Sequence, residues 1–193
     1  MLSGLSKLYK YIGDEGLIKA AQNLLAAVLA SPLVTSYGIL VESCDPYGIC
    51  NQDQWMFKGV FFQHLGYFLA DLAAMDELPV ETRLNLLQLY GSFVQANAQA
   101  VWDIARGQDG TIGSWWAATP GGPRQVSVES NGSGVAAVCC AVRVDKLLES
   151  LRAGSENSGA TTIVSTEGTI TTAIQEPKHL VSRRVEYAGG APR

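Results

Sequence analysis

Two adjacent tryptophans, a few isolated carboxylates and one lysine among aromatic residues are the side chains of this sequence best suited to chemistry. Trp115 and Trp116 lie in a loop rich in Gly, Pro and Thr. A flat indole face suits the apolar face of a sugar ring, and the competing use for either is to fold back onto the core. Asp53 stands at the start of an aromatic segment, where its carboxylate can bind hydroxyl groups or cap a helix. Phe57 and Lys58 follow within one turn. Phe57 fits a core better than a platform, whereas Lys58 in so apolar a stretch requires a partner and can point into a cleft. Glu42 ends a short extended segment and can line the same cleft. General acid and base work needs groups positioned within reach of one another. Glu42, Asp53, Asp103, Asp109 and Glu129 are isolated from one another, and the sequence contains no Asp-Asp pair. No catalytic residue is assigned.

The four cysteines divide into two kinds. Cys44 and Cys50 bracket Asp-Pro-Tyr-Gly-Ile, a set of turn formers that can bring their sulfurs together as a disulfide, two free thiols being the alternative. Cys139 and Cys140 are neighbours in an apolar helical stretch and read as small core residues. The two histidines, His64 and His179, are far apart and no zinc spacing occurs, so neither a metal nor another cofactor is expected. Asn131-Gly132-Ser133 forms a glycosylation sequon, which is meaningful on a secreted chain.

Helices must position these groups. Leu2 to Ile12 reads as a helix without a proper cap, and Asp14 then caps a second helix from Glu15 to Leu29, with Leu17, Ala21, Leu24, Leu25 and Val28 on one side. Tyr37 to Val41 reads as extended. Asp53 to Met75 is a long helix whose aromatic content requires burial on more than one side. Pro79 opens a fourth helix reaching about Arg106, with a stripe through Leu87, Val94 and Val101. Gly107 to Gln125 is loop, and Gly134 to Leu151 is the last helix. Residues 153–193 are rich in Gly, Ser and Thr and read as disordered, with β-prone patches at Thr161 to Val164 and Thr169 to Ile174. Residues 1–152 are therefore an all-α domain. Its hairpins differ in length, which disfavours a fixed-period solenoid. Short turns alternating with long loops fit an α/α toroid.

Composition supports a globular chain of 193 residues, 47% hydrophobic and only 17% charged. The low charge suggests apolar surface that awaits a partner. A net charge of −4 with no basic stripe gives nucleic-acid binding no electrostatic footing. The longest apolar run, Ala20 to Ala30, is interrupted by Gln22 and Asn23 and falls short of the roughly 20 residues a bilayer requires. Neither a signal peptide nor a hydrophobic anchor signal is visible, which taken literally places the chain in the cytosol.

Four segments, in order, resemble glycoside hydrolase family 76, the endo-α-1,6-mannanases. Leu8-Tyr9-Lys10-Tyr11-Ile12-Gly13-Asp14 is similar to an early hairpin of that family, and Gly38-Ile39-Leu40-Val41-Glu42 to the segment after it. Trp55-Met56-Phe57-Lys58-Gly59-Val60-Phe61 resembles its "F-K-G-I-F" helix. Ala98 to Asp103, followed by Gly113-Ser114-Trp115-Trp116, resembles a later helix and loop. The bracketing Cys44 and Cys50 are similar to those of fungal cell-wall members. The resemblance implies an (α/α)6 toroid, of which this chain supplies about the C-terminal half, and action on α-1,6-linked mannan with retention, by hydrolysis or transfer. It implies substrate contacts from Asp53, Phe57, Lys58, Glu42, Trp115 and Trp116, and an extracellular or cell-surface location. The family's adjacent aspartates belong to its N-terminal half, so the resemblance places Met1 at an internal position and implies a chain inactive by itself. The alternative is a non-catalytic mannan-binding or interaction domain. Half a toroid also leaves one packed face uncovered, and the expectation is metastability, aggregation or pairing with a second copy.

Overall fold

A computed structural model describes residues 1–117 and 125–157. Five α-helices run in the order α1 (Leu2–Ile12), α2 (Glu15–Leu29), α3 (Gln52–Ala73), α4 (Val80–Ala100) and α5 (Val128–Asn157). α1 begins at Met1 with no side-chain cap, and Gly13 ends it in the left-handed region at φ 67°, where glycine carries no Cβ penalty. Asp14 caps α2 by accepting a hydrogen bond from the Gly16 amide at 2.8 Å. Ile18, Ala21 and Leu25 form the buried face of α2.

The core is built where α3 and α4 pack on α5. Gly59 meets Ser133 and Gly66 meets Cys140, so α3 and α5 run parallel with small residues at the crossing. A Cβ on Gly59 would stand 2.5 Å from the Ser133 Cα, which explains why this position in an aromatic helix is glycine. α4 runs the other way, with Gln95 Nε2 donating to the Ala141 carbonyl at 3.3 Å and to Asp145 Oδ1 at 2.8 Å. Phe62 is fully buried, stacked on Phe93 at 5.7 Å and tilted against Trp116 at 5.8 Å. α3 does present apolar groups on several sides, for Phe57 stays half exposed while Phe62, Phe68 and Leu69 are fully covered.

Several boundaries differ from the sequence expectation, each for a local reason. α3 is capped by Asn51, not Asp53: Asn51 and Gln54 form a reciprocal capping box, with side chain to backbone bonds of 3.0 and 2.8 Å. α4 does not continue as an α-helix to Arg106. It widens at Val101–Ala105 into a π turn, closed by the Arg106 amide donating to the Val101 carbonyl at 2.9 Å. α5 starts six residues earlier than Gly134, because Ser127 and Ser130 bond each other's backbone amides at 3.1 and 2.9 Å and create a start at Val128. It also runs on through Asn157, so residues 153–157 are helical and not the beginning of a disordered tail. The Tyr37 to Val41 segment forms no strand. It is one arm of a tight turn closed by an antiparallel bridge between Val34 and Leu40. The expected patches at Thr161 to Val164 and Thr169 to Ile174 lie outside the described residues.

Element direction sorts the connections. The turns at Gly13–Asp14 and Ala74–Pro79 are short and share one end of the bundle, whereas the 30–51 connection and the described residues of the one after α4, 106–117 and 125–127, meet at the other. At the short-turn end, Asp71 of α3 receives Lys7 Nζ at 2.7 Å, Lys10 Nζ at 2.8 Å and the Ser6 hydroxyl at 2.7 Å. These bonds bind α1 to α3. This alternation is that of helical hairpins in a partial α/α toroid.

Candidate functional site

The long-loop end is organised around Lys58. Its side chain leaves α3 at the residue after Phe57 and is 1% exposed. The ammonium donates to Asp45 Oδ2 and to the Ser114 carbonyl, each at 2.5 Å, and lies 5.0 Å from the centre of the Trp116 ring. Burial pulls the Lys58 ammonium below its ordinary range, against the opposing pull of Asp45 and Glu42. A lysine buried this way needs its counter-charge at hand, and Asp45 supplies it.

Asp45 comes from the loop closed by the Cys44–Cys50 disulfide, whose Cα atoms are 5.0 Å apart. Its Oδ2 also accepts the Glu42 amide at 2.9 Å, so one carboxylate oxygen joins the loop, the preceding segment and α3. Tyr47 and Ile49, in the same loop, are about three-quarters exposed. The Glu42 carboxyl is partly buried: desolvation raises it above its ordinary value, Lys58 lowers it, and Asp45 raises it again.

The tryptophan loop is fixed from three sides. Gly113 donates to the Ala105 carbonyl at 2.9 Å, and Ser114 donates to the Gln125 carbonyl at 2.9 Å. Gln125 Nε2 in turn donates to the Gly48 carbonyl at 2.6 Å, a direct tie between the tryptophan loop and the disulfide loop. Asn97 of α4, fully buried, receives the Leu40 amide at 2.8 Å and donates to the Gly38 carbonyl at 2.9 Å, which anchors the approach to Glu42.

Glu42, Lys58, Trp115 and Trp116 are thus brought together, with differing access. Trp116 is wholly buried, its face covered by Phe62 and Lys58, so the core use is the one it has. Trp115 is half-buried, and Lys58 faces protein atoms only. Asp53 is exposed in the first turn of α3. Phe57 belongs elsewhere: it lines an apolar groove of about 330 Å³ with Leu2, Leu24, Val28 and Val60, among others. Asn131 sits in the first turns of α5, where its side-chain oxygen accepts the Ile112 amide at 2.9 Å and its Nδ2 donates to the Ser127 carbonyl at 2.7 Å. Cys140 is buried, and its thiol is pushed up to about 12 chiefly by that burial, whereas Cys139 is an exposed free thiol. Among the described residues no group of three or more His, Cys, Asp or Glu side chains is placed to hold a metal ion, and no helix is long and apolar enough to cross a membrane. Asp45, Asn97, Ser114 and Gln125 are the site residues that sequence reasoning missed. The one available signal was that Lys58 required a partner, and the nearest carboxylate in a constrained loop was Asp45.

The family model "Glycosyl hydrolase family 76" matches residues 1–149. The chain belongs to glycoside hydrolase family 76. Among solved structures, this family 76 chain is similar to an inactive variant of the α-1,6-mannanase GH76A of Salegentibacter sp. HEL1_6, carrying two Asp to Asn changes, in complex with α-1,6-mannotriose. The TM-score is 0.58 at 20% identity, over 74% of this chain and 38% of that one, so the likeness is one of fold. This chain spans well under half the length of that mannanase. No curated protein sequence matches the chain.

Proposed function

We propose that this chain contributes one wall of a cleft for α-1,6-linked mannan in a family 76 glycosidase or transglycosidase. The observation that carries the reading is the convergence of Glu42, the buried Lys58 and the Trp115–Trp116 loop at the long-loop end of a family 76 chain. Glu42 and Asp53 would hold mannose hydroxyls and Trp115 would stack on a pyranose face, with Lys58 and Trp116 supporting them from behind. The mannotriose bound to the similar mannanase supports the choice of ligand.

Retaining hydrolysis needs a nucleophilic carboxylate and an acid/base carboxylate about 5 Å apart. No Asp-Asp pair occurs in this sequence, which favours sugar binding without turnover by the chain alone, the behaviour of a non-catalytic mannan-binding domain. The role in trimming or linking cell-wall mannan, and an extracellular or cell-surface location, follow from the same reading. Titration calorimetry with α-1,6-mannotriose, paired with chromatographic analysis of the products, tests it. Saturable binding with no released mannose is expected. No heat of binding at millimolar sugar would overturn the assignment of this end as a mannan cleft, and cleavage would overturn the inactive reading. The groove lined by Phe57 and Val60 would receive further apolar surface, from a second copy or from other helices of a toroid. A sharply melting monomer on size exclusion would count against self-association.

A further inference from the structure

The disulfide loop has few inward anchors. Of Cys44 to Cys50, the two sulfur-bearing residues and Asp45 are buried, while Pro46, Tyr47 and Ile49 face solvent. Asp45 is 3% exposed although Pro46 and Tyr47 after it lie on the surface, and its carboxylate is the counter-charge of Lys58. Lys58 in turn holds the Ser114 carbonyl and underlies the Trp116 ring. A continuous chain of contacts therefore runs from the cross-link through one ion pair to the tryptophan loop.

We infer that the Cys44–Cys50 disulfide is a redox-sensitive latch on the Gly113–Trp116 segment, with Asp45 and Lys58 as the positioning residues that transmit it. Reduction by a dithiol delivers two electrons and two protons to the disulfide, giving two thiols as the dithiol closes to its own cyclic disulfide. The opened loop no longer confines Asp45. Once Asp45 turns to water, Lys58 is left buried without a counter-charge, and the arrangement that ordered Ser114 and Trp116 is lost. The consequence for sugar binding rests on the mannan-cleft reading above, but the latch itself does not.

Hydrogen exchange on the full chain, before and after dithiothreitol, tests it. The Gly113 and Ser114 amides, both hydrogen-bonded in the oxidised chain, should be accelerated by reduction at least about tenfold more than the buried amides of α4, which report only the change in global stability. The Cys44→Ser/Cys50→Ser double variant should show the same fast exchange without reductant. Asp45→Leu/Lys58→Met, which replaces the ion pair by apolar side chains, should make the tryptophan loop indifferent to reduction. Gln125→Ala, which removes only the direct tie to Gly48, should leave the response intact. Faster exchange confined to residues 44–50, an equal acceleration throughout α4, or loss of the response in Gln125→Ala each overturns the latch. Titration with α-1,6-mannotriose in both states separates the two ideas. No binding in the oxidised chain removes the cleft reading, and the exchange data decide the latch.

Discussion

The molecule holds its two ends together with the same pair of chemical groups in opposite settings. At the long-loop end, Lys58 meets Asp45 with the two side chains 0% and 2% exposed. At the short-turn end, Asp71 is shared by Lys7 and Lys10, whose side chains are 61% and 39% exposed. The first pair is a single contact in a dry setting, so removing one partner strands a charge. The second is redundant, with a buried carboxylate but lysines that reach water, so either lysine can replace the other and salt weakens both. The pair that positions the loops is buried on both sides, whereas the one that joins the helices buries only its carboxylate.

Breaking the buried pair should have the largest effect. Asp45→Ala is expected to destabilise the chain by about 3–5 kcal/mol in urea unfolding, whereas Asp45→Leu/Lys58→Met should cost less, its remaining loss coming from the Glu42 amide and Ser114 carbonyl left unpaired. An Asp45→Ala variant as stable as the parent would erase the contrast between the ends. Next comes Gly59→Ala at the crossing of α3 and α5, where the new methyl would meet the Ser133 backbone. About 1–3 kcal/mol is expected, with the loss read from the melting temperature.

The smallest effect belongs to the short-turn end. Lys7→Ala or Lys10→Ala alone should cost at most about 1 kcal/mol, and less at high salt. Asp71 sharpens the contrast through pH. Burial would raise its carboxyl, but hydrogen bonds from Lys10, Lys7 and Ser6 together outweigh that and hold it below its ordinary value of 3.8. A carboxyl lowered on folding adds stability that is present above its unfolded value and lost as pH falls through the folded one. Asp71→Asn should therefore lower stability near neutrality, where the contribution is fully present, and flatten the curve below about pH 4, where the parent loses it as well. An unchanged acid limb would show that Asp71 is not responsible for it.

How much could be read in the sequence varies with the range of the interaction. The Asp14 cap and the amphipathic face of α2 are local and were legible, because each depends on residues within a turn or two. The Asn51 cap was missed because Asp53 is an equally good capping type two positions on. The early start of α5 was missed because Ser127 and Ser130 lie in a run that reads as loop by composition. That Lys58 required a partner was legible from its apolar neighbours. That the partner is Asp45, thirteen residues away across a closed loop, was not.

By itself, the sequence determined the all-helical class, the hairpin order, the turn-forming cysteine loop and the family to which the chain belongs. Helix periodicity, caps and glycine stops act over a few residues, so they are written in local order. Which of two adjacent tryptophans is buried, which carboxylate neutralises Lys58 and which faces meet at Gly59 were decided only by tertiary packing. Those outcomes depend on desolvation and on close contact between segments tens of residues apart, and neither exists until the helices have met.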